Sequence, residues 1–121
     1  MPGPIVVSGL VTGSVQDILN DTRLQTVPAR GFLTFELVSD QNTATNNFVT
    51  SVQMPSGDTP MNAVAVPGDA GGNVGVLDDR MKMQISVPVT QGGHTQFSVT
   101  RTGATAILFY RVTYSPIDSP F

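Results

Sequence analysis

The chain has 121 residues and a mass of 12.8 kDa, the size of one domain with its own core. Charged residues make up 12%, about half the usual ~25%, and the net charge of −3 excludes the basic stripe with which nucleic-acid binders neutralise phosphates. There is no cysteine and one histidine, which excludes disulfide frameworks, thiolate metal sites and multi-histidine metal sites.

The first thirteen residues begin Met1-Pro2-Gly3-Pro4 and continue with Ile5, Val6 and Val7. They carry no basic n-region, and the apolar run is too short for an h-region, so no signal peptide is expected. Proline withholds a ladder donor. Residues 1–13 are therefore expected to be an extended arm or an edge strand, added to this subunit's sheet or to a neighbour's. Ser14-Val15-Gln16-Asp17 has the form of a capping box with Asp in the last place. With Val15, Ile18 and Leu19 on one helical face, one short N-terminal helix is predicted there, ended before Pro28.

Gly31 to Ser39 reads as a strand with Leu33, Phe35 and Leu37 facing inward and Glu36 outward in solvent. Residues 40–47 are polar and read as a loop. Strands follow at Phe48 to Met54 and Met61 to Val66, separated by a Pro-Gly turn and stopped by Pro67. Residues 68–75 are rich in glycine, and the acidic turn Asp78-Asp79-Arg80 comes next.

From Met81 onward the pattern is strongest. Met81, Met83, Ile85, Val87 and Val89 alternate with polar residues or proline, the period of a strand with one buried face. The echo of residues 84–87 in residues 96–99, across Gly92-Gly93, predicts a hairpin. The last apolar run, Ala104 to Tyr114, has Ala106, Leu108, Tyr110 and Val112 on one face, with Ile107 and Phe109 on the other. Such a strand needs cover on both sides. A three-stranded meander is the expected centre, with Leu33, Phe35, Ile85, Val87, Phe97, Val99, Leu108 and Tyr110 in the core. Residues 115–121 form a proline-bearing tail with Ile117 and Phe121 as apolar anchors.

The fold class that follows is all-β: a single-domain antiparallel β-sandwich, jelly-roll-like or Ig-like, over residues 14–114. One short helix and extended termini complete it. No stretch approaches the length of a membrane span, and no membrane partner is expected.

Catalytic chemistry finds little purchase. The glycine-rich loop lacks the Gly-Lys-Ser/Thr of a phosphate-binding loop. Asp69, Asn73, Asp78 and Asp79 are hard oxygen ligands without the spacing of a calcium loop. His94 sits in a turn with no nucleophile signature elsewhere, which predicts an exposed histidine without a catalytic role. Without tryptophan, a sugar-stacking platform has little to be made of. The expectation is a protein that is not an enzyme and uses no cofactor and no metal.

The whole chain, with an arm at each end, low charge, a doubly apolar strand and polar loops, resembles the small decoration or cement proteins of tailed-phage heads. It is similar, more broadly, to small β-sandwich capsid proteins. The resemblance implies a virion location, a structural role, and partners that are capsid subunits, either copies of itself or a major capsid protein. It also implies a homo-oligomer, the trimer being a common form in such proteins, with no nucleic-acid partner. The residues expected to make the interface are Ile5, Val6, Val7, Ile107, Phe109, Ile117 and Phe121. The alternative is a carbohydrate- or receptor-binding β-sandwich module.

Overall fold

Among the described residues, apolar alternation produces seven strands: β1 (Ile5–Val11), β2 (Gly31–Ser39), β3 (Asn47–Gln53), β4 (Met61–Ala65), β5 (Met83–Val89), β6 (Gln96–Thr102) and β7 (Leu108–Pro116). The computed structural model describes residues 3–40, 45–67 and 83–117. The strands form two antiparallel sheets, a four-stranded one in the order β1-β7-β2-β5 and a three-stranded one in the order β4-β3-β6.

One core lies between the sheets. The four-stranded sheet contributes Leu33, Phe35, Leu37, Leu108, Val112 and Tyr114, and the other sheet contributes Phe48, Val52, Phe97 and Val99. Phe35 of β2 meets Phe97 of β6 edge to face, with ring centroids 5.0 Å apart. Each such side chain, fully buried, contributes about 1.5–3 kcal/mol before the entropy of ordering it is charged. The Tyr114 ring is completely buried, and its hydroxyl donates to the Ala29 carbonyl at 2.8 Å, which satisfies its one polar atom. Six of the predicted core residues are buried as expected. The other two, Ile85 and Tyr110, are half-buried against that core. Tyr110 stands opposite Gly9 on β1, and its phenol lies over the space that a side chain at Gly9 would fill.

The predicted helix is absent: residues 14–19 run beside β6 instead. Val15 and Val99 exchange backbone hydrogen bonds of 3.0 and 2.9 Å, and the Ile18 amide donates to the Phe97 carbonyl at 2.7 Å. Ser14 caps no helix; its Oγ accepts the Arg101 amide at 2.9 Å. The Asp17 carboxylate accepts the Leu19 amide in a local turn. The same three apolar residues suit a helix face or a short irregular strand. The edge of β6, with donors and acceptors otherwise unpaired, decides for the strand.

The predicted hairpin and meander are also corrected. β5 and β6 belong to different sheets, and residues 90–95 carry the chain across the core from one to the other. Period-two alternation says which face of a strand is buried but not which strand lies beside it. Val87 and Val99 face each other's sheet rather than sharing one. β7 begins at Leu108 rather than Ala104 and runs to Pro116, so the predicted tail starts inside the sheet. At the other end, most of the predicted arm is β1, the edge strand of the same sheet.

The pairing has a simple order. β3 pairs with β4, β2 with β5, Val15 bridges to β6, and β1 pairs with β7. Each antiparallel pair encloses the one before it along the sequence. None of the described residues forms a helix long and apolar enough to cross a membrane.

Candidate functional site

The outward face of the four-stranded sheet is built by cross-strand register. Residues directly opposite in antiparallel strands share a face. Val6 stands opposite Thr113, which stands opposite Thr34, which stands opposite Ser86. The next row is Ser8, Arg111, Glu36 and Gln84, and beyond it lie Leu10, Phe109 and Val38. On the other side of the threonine row, Phe32 sits between Ser115 and Pro88. Leu10 is 60% exposed, Val6 44% and Phe32 43%, values high for large apolar side chains.

Between these apolar positions runs a polar belt. Arg111 grips Glu36 with two parallel hydrogen bonds, Nε to Oε1 at 2.8 Å and Nη2 to Oε2 at 2.9 Å. The expectation of a solvated Glu36 is overturned: the residue is only 6% exposed. Its partner arrives because Arg111 is its cross-strand neighbour, and the planar guanidinium matches a carboxylate in two contacts. Thr34 and Ser86 hydroxyls bond to each other at 2.8 Å in the next row.

The expected interface residues are divided by this geometry. Val6 and Phe109 lie on the outward face, Val6 exposed and Phe109 half-buried. Ile5 and Val7 have the opposite parity and pack against the core. Ile107 is held by Asp40, whose amide donates to the Ile107 carbonyl at 3.0 Å and whose carboxylate accepts the Ile107 amide at 2.7 Å. Ile117 is half-buried, with its amide bonded to the Arg30 carbonyl at 3.1 Å. Phe121 lies outside the described residues, as do Asp69, Asn73, Asp78 and Asp79. Leu10 and Phe32 were not anticipated, although Leu10 falls at the spacing from Val6 that one strand face requires.

β1 is an edge strand, and an edge presents unpaired main-chain groups. Arg23 covers part of it: Nη2 donates to the Val6 carbonyl at 2.9 Å. Residues 17–27, which carry this arginine, are in turn fixed to the turn after β5. The Gly92 amide donates to the Val27 carbonyl at 2.7 Å, and the Val27 amide donates to the Gly93 carbonyl at 3.2 Å.

His94, expected as an exposed turn histidine, is partly exposed, and both of its ring nitrogens complete that attachment. Its Nδ1 lies 2.5 Å from the Gln25 carbonyl oxygen and its Nε2 lies 2.6 Å from Asp17 Oδ2. Both neighbours are acceptors, so the ring that satisfies both is the doubly protonated imidazolium. The Gln25 carbonyl raises the His94 pKa above 6.5 most strongly. Partial burial opposes the shift, and the hydrogen bond and charge of Asp17 add to it. No nucleophile is poised at either nitrogen: one faces a carbonyl and the other a carboxylate. Among the described residues, no group of three or more His, Asp or Glu is placed to hold a metal ion.

No protein-family model matches this sequence, and no curated protein sequence matches it.

Proposed function

We propose that this chain is a structural shell protein, a capsid subunit of the decoration or cement kind, which binds neighbouring subunits through the outward face of its four-stranded sheet. The observation that carries the reading is the placement of Val6, Leu10 and Phe32, all exposed, on that one face. Water-exposed apolar groups gathered on one sheet face gain by association, and a central belt of paired polar groups gives such a contact register.

The pairing order supports the class. Counting residues 14–18 as a rudimentary strand, the four nested pairs are those of a ribbon folded over on itself, which is the construction of a jelly-roll β-sandwich. The Ig-like alternative keeps its last strand in the sheet of its third and sixth, whereas here β7 lies between β1 and β2. Jelly rolls serve in viral capsids, in lectins and in cupins. A cupin metal centre draws on several histidines, and this chain has one. A lectin platform draws on exposed aromatic faces, and among the described residues Phe32 alone is an aromatic with a large exposed surface. The capsid reading, with a virion location and a homo-oligomer or a major capsid protein as partner, is the best supported of the three.

The test is velocity sedimentation of the purified chain over a wide concentration range, with co-sedimentation on shells from its source. The double substitution Leu10→Ser/Phe32→Ser is expected to leave the fold intact by circular dichroism and to weaken association at least tenfold. A chain that stays monomeric and ignores the shells overturns the reading.

A further inference from the structure

A cavity of about 590 Å³ opens at one end of the sheet pair, between the turn after β3 and the strand β5 with the turn that follows it. Its volume falls in the range of small-molecule sites, ~300–1,000 Å³. Val87 and Val89, the buried side chains of β5, line it together with Met54, Pro55 and Pro88, so much of its wall is apolar. Gly93 brings the two turns together at one end. A Cβ there would stand 3.2 Å from Pro55 Cγ and 3.3 Å from the Thr90 carbonyl.

Ser56, Asp58, Thr59, Thr90 and Thr95 interrupt the apolar wall. Thr95 lines the cavity, is 1% exposed, and its hydroxyl has no hydrogen-bond partner. Leaving a buried hydroxyl unpaired costs stability, and a valine of the same shape would avoid the cost. Asp58 is the one ionisable residue in the lining, and it is exposed at the opening. It accepts a long hydrogen bond from Ser56 at 3.3 Å and has capacity for more. A carboxylate beside an apolar pocket in an acidic protein attracts a cation with a hydrocarbon body.

We propose that this cavity is a binding site for an amphipathic primary ammonium group, with its alkyl body against Val87, Val89 and Met54 and its charge toward Asp58. The same chemistry is carried by a free alkylamine and by a lysine side chain on a partner protein. This site is independent of the outward sheet face and does not rest on the shell reading.

The experiment titrates the full chain at pH 7 with hexylamine, which is then protonated, and follows backbone amide shifts by NMR. Saturable shifts confined to residues 54–60 and 87–95 are expected. Hexanol should bind at least fivefold more weakly than hexylamine, and hexanoate should not bind. Asp58→Asn should weaken hexylamine at least fivefold. Thr95→Val should raise the melting temperature of the free protein and, since its hydroxyl is closed off from the cavity, leave hexylamine affinity unchanged within about twofold. A blocked Ala-Lys-Ala tripeptide separates the sources. Binding tenfold tighter than hexylamine assigns the site to a partner's lysine, and weaker binding assigns it to a small amine. Absence of saturable shifts, equal binding of hexanoate, or unchanged affinity in Asp58→Asn overturns the proposal.

Discussion

Asp17 and His94 lie far apart in sequence and meet at 2.6 Å, carboxylate oxygen to ring nitrogen, with the Gln25 carbonyl on the far side of the ring. The contact ties the turn between the two sheets to the segment that runs beside β6. A protonated ring satisfies both neighbours, and a neutral one has a single donor to offer.

A pH dependence follows from that geometry. The folded pKa of His94 is raised above 6.5, first by the Gln25 carbonyl and then by Asp17. The stabilisation is therefore fully present below the ordinary histidine value of ~6.5 and is lost as pH rises through the folded pKa. Melting temperatures measured from pH 5 to pH 9 should fall across that window. The fall should be absent in His94→Gln, and an identical profile in that variant would refute the assignment.

Leu108 is completely buried at the start of β7, and Leu108→Ala removes its side chain without space for collapse between two packed sheets. The loss should be about 2–5 kcal/mol in chemical denaturation, the sum of lost transfer energy and a cavity.

Glu36 and Arg111 should prove strongly coupled. Removing the arginine alone leaves a nearly buried carboxylate without its main cation, whereas removing both leaves none. A double-mutant cycle with Glu36→Gln and Arg111→Met should return a coupling of roughly 0.5–3 kcal/mol. Additive effects would mean that the pair is indifferent to stability.

Gly31 begins β2 where the end of β7 passes over it. A Cβ at Gly31 would collide with the Ser115 carbonyl oxygen and stand 2.9 Å from the Tyr114 ring. Gly31→Ala should cost about 1–3 kcal/mol through forced displacement. Gly13→Ala meets nothing within 4 Å and serves as the control, with a melting temperature unchanged or slightly raised.

Local periodicity made most strands and most of the core readable from the sequence. Leu33, Phe35, Val87, Phe97 and Leu108 announce their inward faces by spacing alone. Partner choice was not readable, because Val87 and Val99 carry the same signal whether they share a sheet or face each other across a core. Val15, Ile18 and Leu19 fit two periods over so short a stretch, and the unpaired edge of β6 is a tertiary fact. The polar pairs were hidden for the same reason. Nothing near Glu36 in the sequence points to Arg111, and nothing near His94 points to Asp17. The outward sheet face was half legible: Val6 and Phe109 stood out as apolar, but which of Ile5, Val6 and Val7 faces outward depends on a register that β7 sets.

The nesting of strand pairs also bears on how the chain reaches its fold. The innermost pair, β3 with β4, joins residues close in sequence, so its closure entropy is smallest. Once it forms, β2 and β5 are already brought near, and each outer pair then closes a shorter effective loop than the sequence separation implies. Folding is expected to zip outward from the 47–65 hairpin, with β1 docking on β7 last. Substitutions at Val52 should then slow folding, while those at Val7 should chiefly speed unfolding, a contrast that stopped-flow kinetics resolves.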